Sequence, residues 1–298
     1  MLDVKPAPFD YARPDTLEEA LRVLAGRSGA KVLAGGQSLV PLLSMRLAAP
    51  ELLVDLNGVP GLDHVTVDES GVRVGALARH ADVLAEAGVR RVQPLVPLAL
   101  EQVAHATIRN RGTTVGSLVH ADAAAEMPMV LRLLDGSLDV VGPTGRRTIA
   151  AADLYLGPLE SSVGADEIAV EAFFPALAER SGVAFEEIAR RHGDYAVVGV
   201  AAVVTLDADG RVSEARAGYL SVSDVPAVVD VTEELGGGVA PEALEVAATG
   251  ALLDLTPETD LHATAAYRAH LVRVLTARVL TAAHDDALRR AGDHSGGA

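Results

Sequence analysis

The chain has 298 residues, 49% of them apolar, with 41 acidic against 25 basic side chains and a formal charge of -16. At ~150 residues per domain that length predicts two domains with enough chain for a sizeable core. The absence of cysteine excludes disulfides, a thiol nucleophile and any thiolate-held metal or iron–sulfur cluster within the chain, and the acidic balance argues against nucleic acid as a partner.

The first stretch, Met1 to Pro14, lacks the charged-then-apolar layout of a secretory signal. Thr16 and Glu19 form a capping-box pattern, followed by Leu17, Ala20, Leu21 and Leu24 on one helical face, with Gly26 and Gly29 ending the helix. Lys31-Val32-Leu33 reads as a strand running into Ala34-Gly35-Gly36-Gln37-Ser38-Leu39, and Leu52 to Leu56 reads as a second strand closing at Asn57-Gly58. Val65–Val67 and Val72–Val74 form a predicted hairpin. Helices are predicted over about 80–87 and 94–105, then a glycine-punctuated, β-rich stretch from Thr107 to Asp122 and a helix from Ala125 to Leu134.

Short strands follow at Leu138–Val141 and Glu167–Phe173, with a boundary between Pro175 and Gly182. Ala184–Ala189, Tyr195–Leu206 and Val212–Leu220 read as strands, the last two joined by a turn at Asp207–Gly210. Tyr195–Leu206 is the most apolar run, but a bilayer needs ~20 residues, so no membrane span is expected and the chain is assigned to the cytoplasm. Two helices close the chain, near 241–250 and 262–290, the second carrying Leu271, Val274, Leu275 and Val279 at helical spacing. Residues 291–298 are expected to fray.

Two loops carry chemistry. In Ala34-Gly35-Gly36-Gln37-Ser38 the paired glycines permit φ > 0 and remove the Cβ atoms that keep an anion away, so successive amides can hold a diphosphate without lysine; a plain tight turn explains the same residues. Thr113-Thr114-Val115-Gly116-Ser117 flanks a glycine with hydroxyls suited to phosphate or ribityl oxygens. The chain has no Walker-type Gly-Lys-Ser/Thr loop and no G-x-G-x-x-G, which sets aside P-loop and Rossmann sites. His120, Asp122 and Glu126 lack a recognised metal-ligand spacing and suit helix caps or acceptors for sugar hydroxyls. Tyr195, after Arg190-Arg191-His192-Gly193-Asp194, is either the exposed aromatic of a hairpin corner or a ring lying against a flat cofactor.

Leu33-Ala-Gly-Gly-Gln-Ser-Leu-Val-Pro41 with Met45-Arg46-Leu47, then Ile108-Arg-Asn-Arg-Gly-Thr-Thr-Val-Gly-Ser-Leu-Val-His-Ala-Asp122, closely resembles the FAD-binding medium subunit of molybdenum hydroxylases, the carbon monoxide dehydrogenase and xanthine dehydrogenase family. The likeness extends through Arg191-His-Gly-Asp-Tyr195 to Tyr267-Arg-Ala-His-Leu271. It implies an α+β protein with a vanillyl-alcohol-oxidase or PCMH-type FAD-binding fold. Two α/β subdomains, about 1–60 and 61–177, would form the FAD-binding domain, followed by a CO dehydrogenase flavoprotein C-terminal-like domain over 178–290.

The resemblance also implies site residues. Val32, Leu33, Ala34, Gly35, Gly36, Gln37, Ser38 and Leu39 would wrap the diphosphate, and Thr113, Thr114, Val115, Gly116 and Ser117 would bind from the other side. Asp122 closes the second motif, Glu126 matches an acidic residue that contacts FAD, Val103 matches an apolar or aromatic position beside the cofactor, and Tyr195 matches an aromatic near the isoalloxazine ring. Thr114 and Val115 stand where the family usually has Ile and Gly, and Ala123 where it commonly has Pro; neither change removes a group the loop amides need. The implied partners are an iron–sulfur small subunit and a molybdopterin large subunit, with NAD, a quinone or oxygen as electron acceptor. The same fold could also serve a self-sufficient FAD oxidoreductase. Cysteine-free composition fits a chain whose clusters reside elsewhere.

Overall fold

The computed structural model describes residues 5–295. In chain order the elements are β1 (Asp10–Ala12), α1 (Leu17–Ala25), β2 (Ala30–Leu33), α2 (Leu39–Ser44), β3 (Leu52–Asp55), β4 (Val65–Asp68), β5 (Gly71–Gly75), α3 (His80–Ala85), α4 (Ala87–Val92), α5 (Leu95–Gln102), α6 (Ala106–Arg109), α7 (Thr114–His120) and α8 (Glu126–Leu133). They continue as β6 (Ser137–Gly142), β7 (Gly145–Ala150), β8 (Tyr155–Gly157), β9 (Glu160–Ser161), β10 (Ile168–Pro175), β11 (Ser181–Ala189), β12 (Ala196–Leu206), β13 (Val212–Leu220), β14 (Ala227–Asp230), α9 (Thr232–Leu235), α10 (Pro241–Gly250) and α11 (Ala265–Ser295).

Three larger sheets and a two-stranded sheet, β8-β9, organise these elements. A parallel sheet β1-β3-β2 is built first, with α1 crossing between strands. Thr16 caps α1 by accepting the Glu19 amide at 3.1 Å, while the Glu19 carboxylate reaches back to the Asp15 amide at 3.2 Å. Ala20 and Leu24 bury the apolar face of that helix. An antiparallel sheet β4-β5-β10-β6-β7 forms the second unit, and a meander β11-β12-β13-β14 the third, backed by α11.

β12 is apolar almost throughout because both of its faces are covered. Ala201 lies in the core shared with α5 and α8, and Val203 packs against that core. Val198, Val200, Ala202 and Val204 face the second core, beneath α11. The two-residue repeat of a strand therefore hands alternate side chains to two different cores.

Several expectations are corrected. The stretch from Thr107 to Asp122 is helical, as α6 and α7, not β-rich. The Thr113 hydroxyl accepts the Gly116 amide at 3.2 Å and starts α7, so a side-chain cap and tertiary burial override the β-branched residues' strand preference. The helix expected over 80–87 breaks at Glu86 into α3 and α4, because the Glu86 carboxylate accepts the Gly88 amide and restarts the chain. The helix expected over 94–105 ends at Gln102, where Val103 leaves helical geometry and Ala104 takes φ +44°; the Arg109 guanidinium holds the carbonyls of Val103 and Ala104 at 2.8 and 3.0 Å.

α2 follows the first glycine turn directly, an element the loop pattern does not predict; Pro41 sits in its first turn, where no amide is missed. The last helix begins at Ala265 because Asp260 accepts the amides of His262 and Ala263 and fixes a turn there. Its buried face uses Leu271, Val272, Leu275 and Val279, with Val274 turned outward. Within the tail expected to fray, residues 291–295 continue α11; residues 296–298 lie outside the described residues, as do 1–4 at the other end.

Candidate functional site

The two glycine loops lie against each other. A Cβ on Gly35 would stand 2.4 Å from the Arg111 carbonyl oxygen and 2.9 Å from both the Gly112 Cα and the Thr113 nitrogen. Gly35 is thus required by the approach of the second loop's backbone to the first. Gly36 has φ +74°, in the left-handed region that favours glycine.

A chain of polar contacts holds this junction. Tyr11 donates to Asp55 Oδ2 at 2.5 Å, and the Asn57 amide and side chain donate to Asp55 Oδ1. Burial raises the Asp55 pKa, but these hydrogen bonds outweigh it and leave the carboxyl below its ordinary value. Asn57 Nδ2 also donates to the Ala34 carbonyl at 2.9 Å. Arg79 then bridges the halves, donating to Asn57 Oδ1 at 2.6 Å and to the Arg111 carbonyl at 2.7 Å. Behind it, His80 is buried with Nδ1 3.0 Å from Thr114 Oγ1, and burial lowers its pKa to about 4, so the ring is neutral. Sequence reasoning passed over Asn57, Arg79 and His80 because their roles depend on partners 20 to 35 residues away, as their hydrogen bonds show.

Within the first loop, the backbone amides of Gly35, Gly36, Gln37 and Ser38 donate to no group among the described residues. The Gln37 side chain folds back and donates to the Gly35 carbonyl at 3.2 Å rather than accepting from those amides. Gly35 is buried and its three successors are half-buried. Buried amides left unpaired cost ~1–3 kcal/mol each, so a run of them calls for an external acceptor. The donor set is neutral, consecutive and free of side chains at its glycines, which matches diphosphate oxygens.

The second loop, read as a glycine flanked by hydroxyls, is the start of a helix. Thr113 is a helix cap, and Thr114 and Val115 are buried in the first turn of α7, Val115 being only 2% exposed. The β-branched side chain points into the core and so does not obstruct approach, while the Val115 amide keeps no partner within the described chain. Ser117 lies in the middle of α7 and donates its amide to the Thr113 carbonyl. Val32 and Leu33 end β2, and Leu39 begins α2.

At the far end of α7, roughly 10 Å along the helix, a second group of residues gathers. Ala121 ends α7 in the left-handed region, and Asp122 Oδ1 accepts the Ala124 amide at 2.9 Å to turn the chain into α8. Glu126 opens α8 and is only 9% exposed. Burial first, and then the negative charges of Glu187 and Asp122, push its pKa up to about 8. Tyr195 precedes β12 and is 63% exposed, with its ring free of aromatic neighbours among the described residues. Desolvation around its hydroxyl and the carboxylates of Asp122 and Glu126 push its pKa up to about 12.

The turn before Tyr195 is seated on the segment between α5 and α6, at His105. A Cβ on Gly193, which has φ +86°, would fall 2.5 Å from the His105 ring, and His105 meets His192 edge-on at 6.0 Å. This contact brings the Tyr195 turn to the Val103–His105 segment. Among the described residues no group of three or more His, Asp or Glu side chains is arranged to hold a metal ion; His120, Asp122 and Glu126 stand on a helix end, a turn and a helix start.

The family described as the FAD binding domain in molybdopterin dehydrogenase matches residues 7–177, and the CO dehydrogenase flavoprotein C-terminal domain matches residues 183–283. The chain is 41% identical to the 6-hydroxypseudooxynicotine dehydrogenase complex subunit alpha of Paenarthrobacter nicotinovorans, over 94% of this chain and 96% of that one. It is 32% identical to the carbon monoxide dehydrogenase medium chain of Hydrogenophaga pseudoflava, over 93% and 98%. A chain of quinoline 2-oxidoreductase from Pseudomonas putida 86 superposes with a TM-score of 0.88 at 35% identity, covering 95% of this chain and 99% of that one.

Proposed function

Because this chain belongs to the family of FAD-binding medium subunits of molybdenum hydroxylases, we propose that it is the electron-transfer flavoprotein subunit of a cytoplasmic heterotrimer. A molybdopterin large subunit would oxidise the substrate, and an iron–sulfur small subunit would pass the electrons to FAD held here. NAD, a quinone or oxygen would take them away.

In this reading residues 1–177 hold the cofactor in two lobes, about 1–60 and 61–177, and 178–290 close over them. The amides of Gly35 to Ser38 take the diphosphate, with Ala34 and Leu39 shaping the turn and Val32 and Leu33 anchoring it. Thr113 to Ser117 approach the same group from α7, the Val115 amide being the free donor. Asp122 and Glu126 meet oxygens further along, and Val103 and Tyr195 border the ring. When bound, FAD supplies the reversible one- and two-electron chemistry. The chain's own groups bind and orient it: unpaired amides receive negative oxygens, and apolar and aromatic side chains exclude water from one edge. Helix α7 sets the separation between these two sets.

The observation that supports this most directly is the run of partnerless amides at Gly35–Ser38. Purification of the native assembly tests it. The expected result is a yellow preparation with FAD equimolar to this chain and two further chains carrying iron and molybdenum. A preparation that is colourless and stays so with excess FAD overturns the cofactor assignment. A yellow homo-oligomer whose flavin is reduced directly by a small molecule overturns the heterotrimer.

A further inference from the structure

The free amides of the first glycine loop are each governed from behind. In a trans peptide the N–H of one residue points opposite to the carbonyl of the residue before it, so whatever holds that carbonyl also aims the N–H. The peptides of this loop are trans. The Ala34 carbonyl accepts from Asn57 Nδ2 at 2.9 Å, the Gly35 carbonyl from Gln37 Nε2 at 3.2 Å, and the Gly36 carbonyl from the Val40 amide at 3.0 Å. The N–H groups aimed in this way, on Gly35, Gly36 and Gln37, are the same ones that donate to nothing among the described residues. Two of the three holds are side chains, and a side chain can be removed without breaking a helix.

Asn57 can do this in one orientation only. Its Oδ1 accepts from the Arg79 guanidinium at 2.6 Å, a group with donors alone. Its Nδ2 faces the Ala34 carbonyl and, at 2.5 Å, Asp55 Oδ1, which only accept. Turned over, the side chain would set its oxygen against two acceptors and its nitrogen against a cation. Arg79 also donates to the Arg111 carbonyl at 2.7 Å, the atom against which Gly35 packs, and its backbone bridges to Thr113. Both of its side-chain bonds thus go to neutral oxygens beside the loops. Gln37 is simpler: its side chain makes no other hydrogen bond among the described residues.

We propose that Asn57 and Gln37 are positioning residues for a dinucleotide diphosphate: each holds the carbonyl of a peptide whose N–H faces the ligand, and Arg79 locks Asn57 in the orientation this needs. This rests on the FAD-binding reading above, through its run of free amides alone. Neither side chain touches the cofactor. Their effect is preorganisation: a peptide free to swing must be ordered when the ligand binds, whereas a pinned one already points its donor. Direction matters because a hydrogen bond weakens steeply once its angle falls below ~120°.

The test is phosphorus NMR of bound FAD together with its dissociation constant, on the full chain or the complex it purifies in. Gln37→Ala is expected to move at least one diphosphate resonance from its wild-type position and to weaken FAD binding ~10-fold, the size of one misdirected charge-assisted hydrogen bond. Melting of the cofactor-free chain should stay as in the wild type. Asn57→Ala should move a resonance and weaken binding further, and it should also lower melting, because it releases Arg79 and Asp55. Arg79→Lys, a point donor in place of a fork, should move the resonances in the same direction as Asn57→Ala. Unmoved resonances in Gln37→Ala or Asn57→Ala overturn the proposal whatever happens to affinity, since loss of junction stability alone would weaken binding without shifting the phosphorus signals of the bound ligand. Unmoved resonances in Arg79→Lys overturn the lock. Should Asn57→Ala fail to fold, Gln37→Ala decides alone. A wild type that binds no FAD refutes the cofactor reading instead.

Discussion

The two ends of α7 present opposite chemistries. At its start the useful groups are backbone amides, bared by Gly35 and Gly36 and positioned by loop-on-loop packing. At its end they are side chains, Asp122, Glu126 and Tyr195, brought from α8 and the turns before α8 and β12. The first set depends on the absence of atoms and tolerates no addition. The second depends on charge and solvation, and responds to pH more than to shape.

The sharpest way to break this contrast is to add one methyl group at the first end. Gly35→Ala places a Cβ 2.4 Å from the Arg111 oxygen, a backbone atom that cannot rotate away. The expected outcome is a loss of about 1–3 kcal/mol of stability from overpacking, together with loss of bound FAD, read by thermal melting and flavin content. Retention of both would show that the loops do not meet as described.

At the second end a proton should matter instead. The folded chain holds the Glu126 proton to about 8, against an ordinary value of 4.5. A carboxyl whose pKa is raised by folding stabilises the folded state below its unfolded value, and that contribution is lost as pH rises through the folded value. The cofactor-free chain is therefore expected to lose stability progressively from about pH 4.5 to pH 8, with a smaller loss in Glu126→Gln. Urea midpoints across that range measure the slope, and equal slopes in the two proteins would contradict the burial described for Glu126.

The smallest effect is expected at Tyr195. Its ring is exposed and bonds to little of the chain, so Tyr195→Ala should leave melting almost unchanged, within about 0.5 kcal/mol as for most surface changes. It should shift the flavin absorption bands or midpoint potential in the loaded protein. An unaltered spectrum and potential would make Tyr195 the corner of a turn and nothing more.

The same contrast explains what could be read in the sequence. Gly35-Gly36 after a strand is a local signal, because a sharp turn with free amides needs only neighbours in the chain. The capped helix at Thr16, the hairpin at Val65–Val74 and the apolar β12 are local too, each declared by period or cap. The β-rich expectation for Thr107–Asp122 failed because Thr113 and Val115 are strand formers by propensity, and only the Thr113 cap and burial of Val115 make the segment helical. Glu187 gave no signal at all. Its neighbour Glu186 pairs with Arg278, and one step along the strand leaves the Glu187 Oε2 buried without a partner.

That one-step alternation has a wider consequence in β12. A strand that from Val198 to Val204 sends its odd side chains to one core and its even ones to another belongs wholly to neither. Cutting the polypeptide between the two family segments would strip a wall from both interiors at once. The boundary between the two family segments is thus not a boundary between two cores, and the two segments are expected to melt in a single transition.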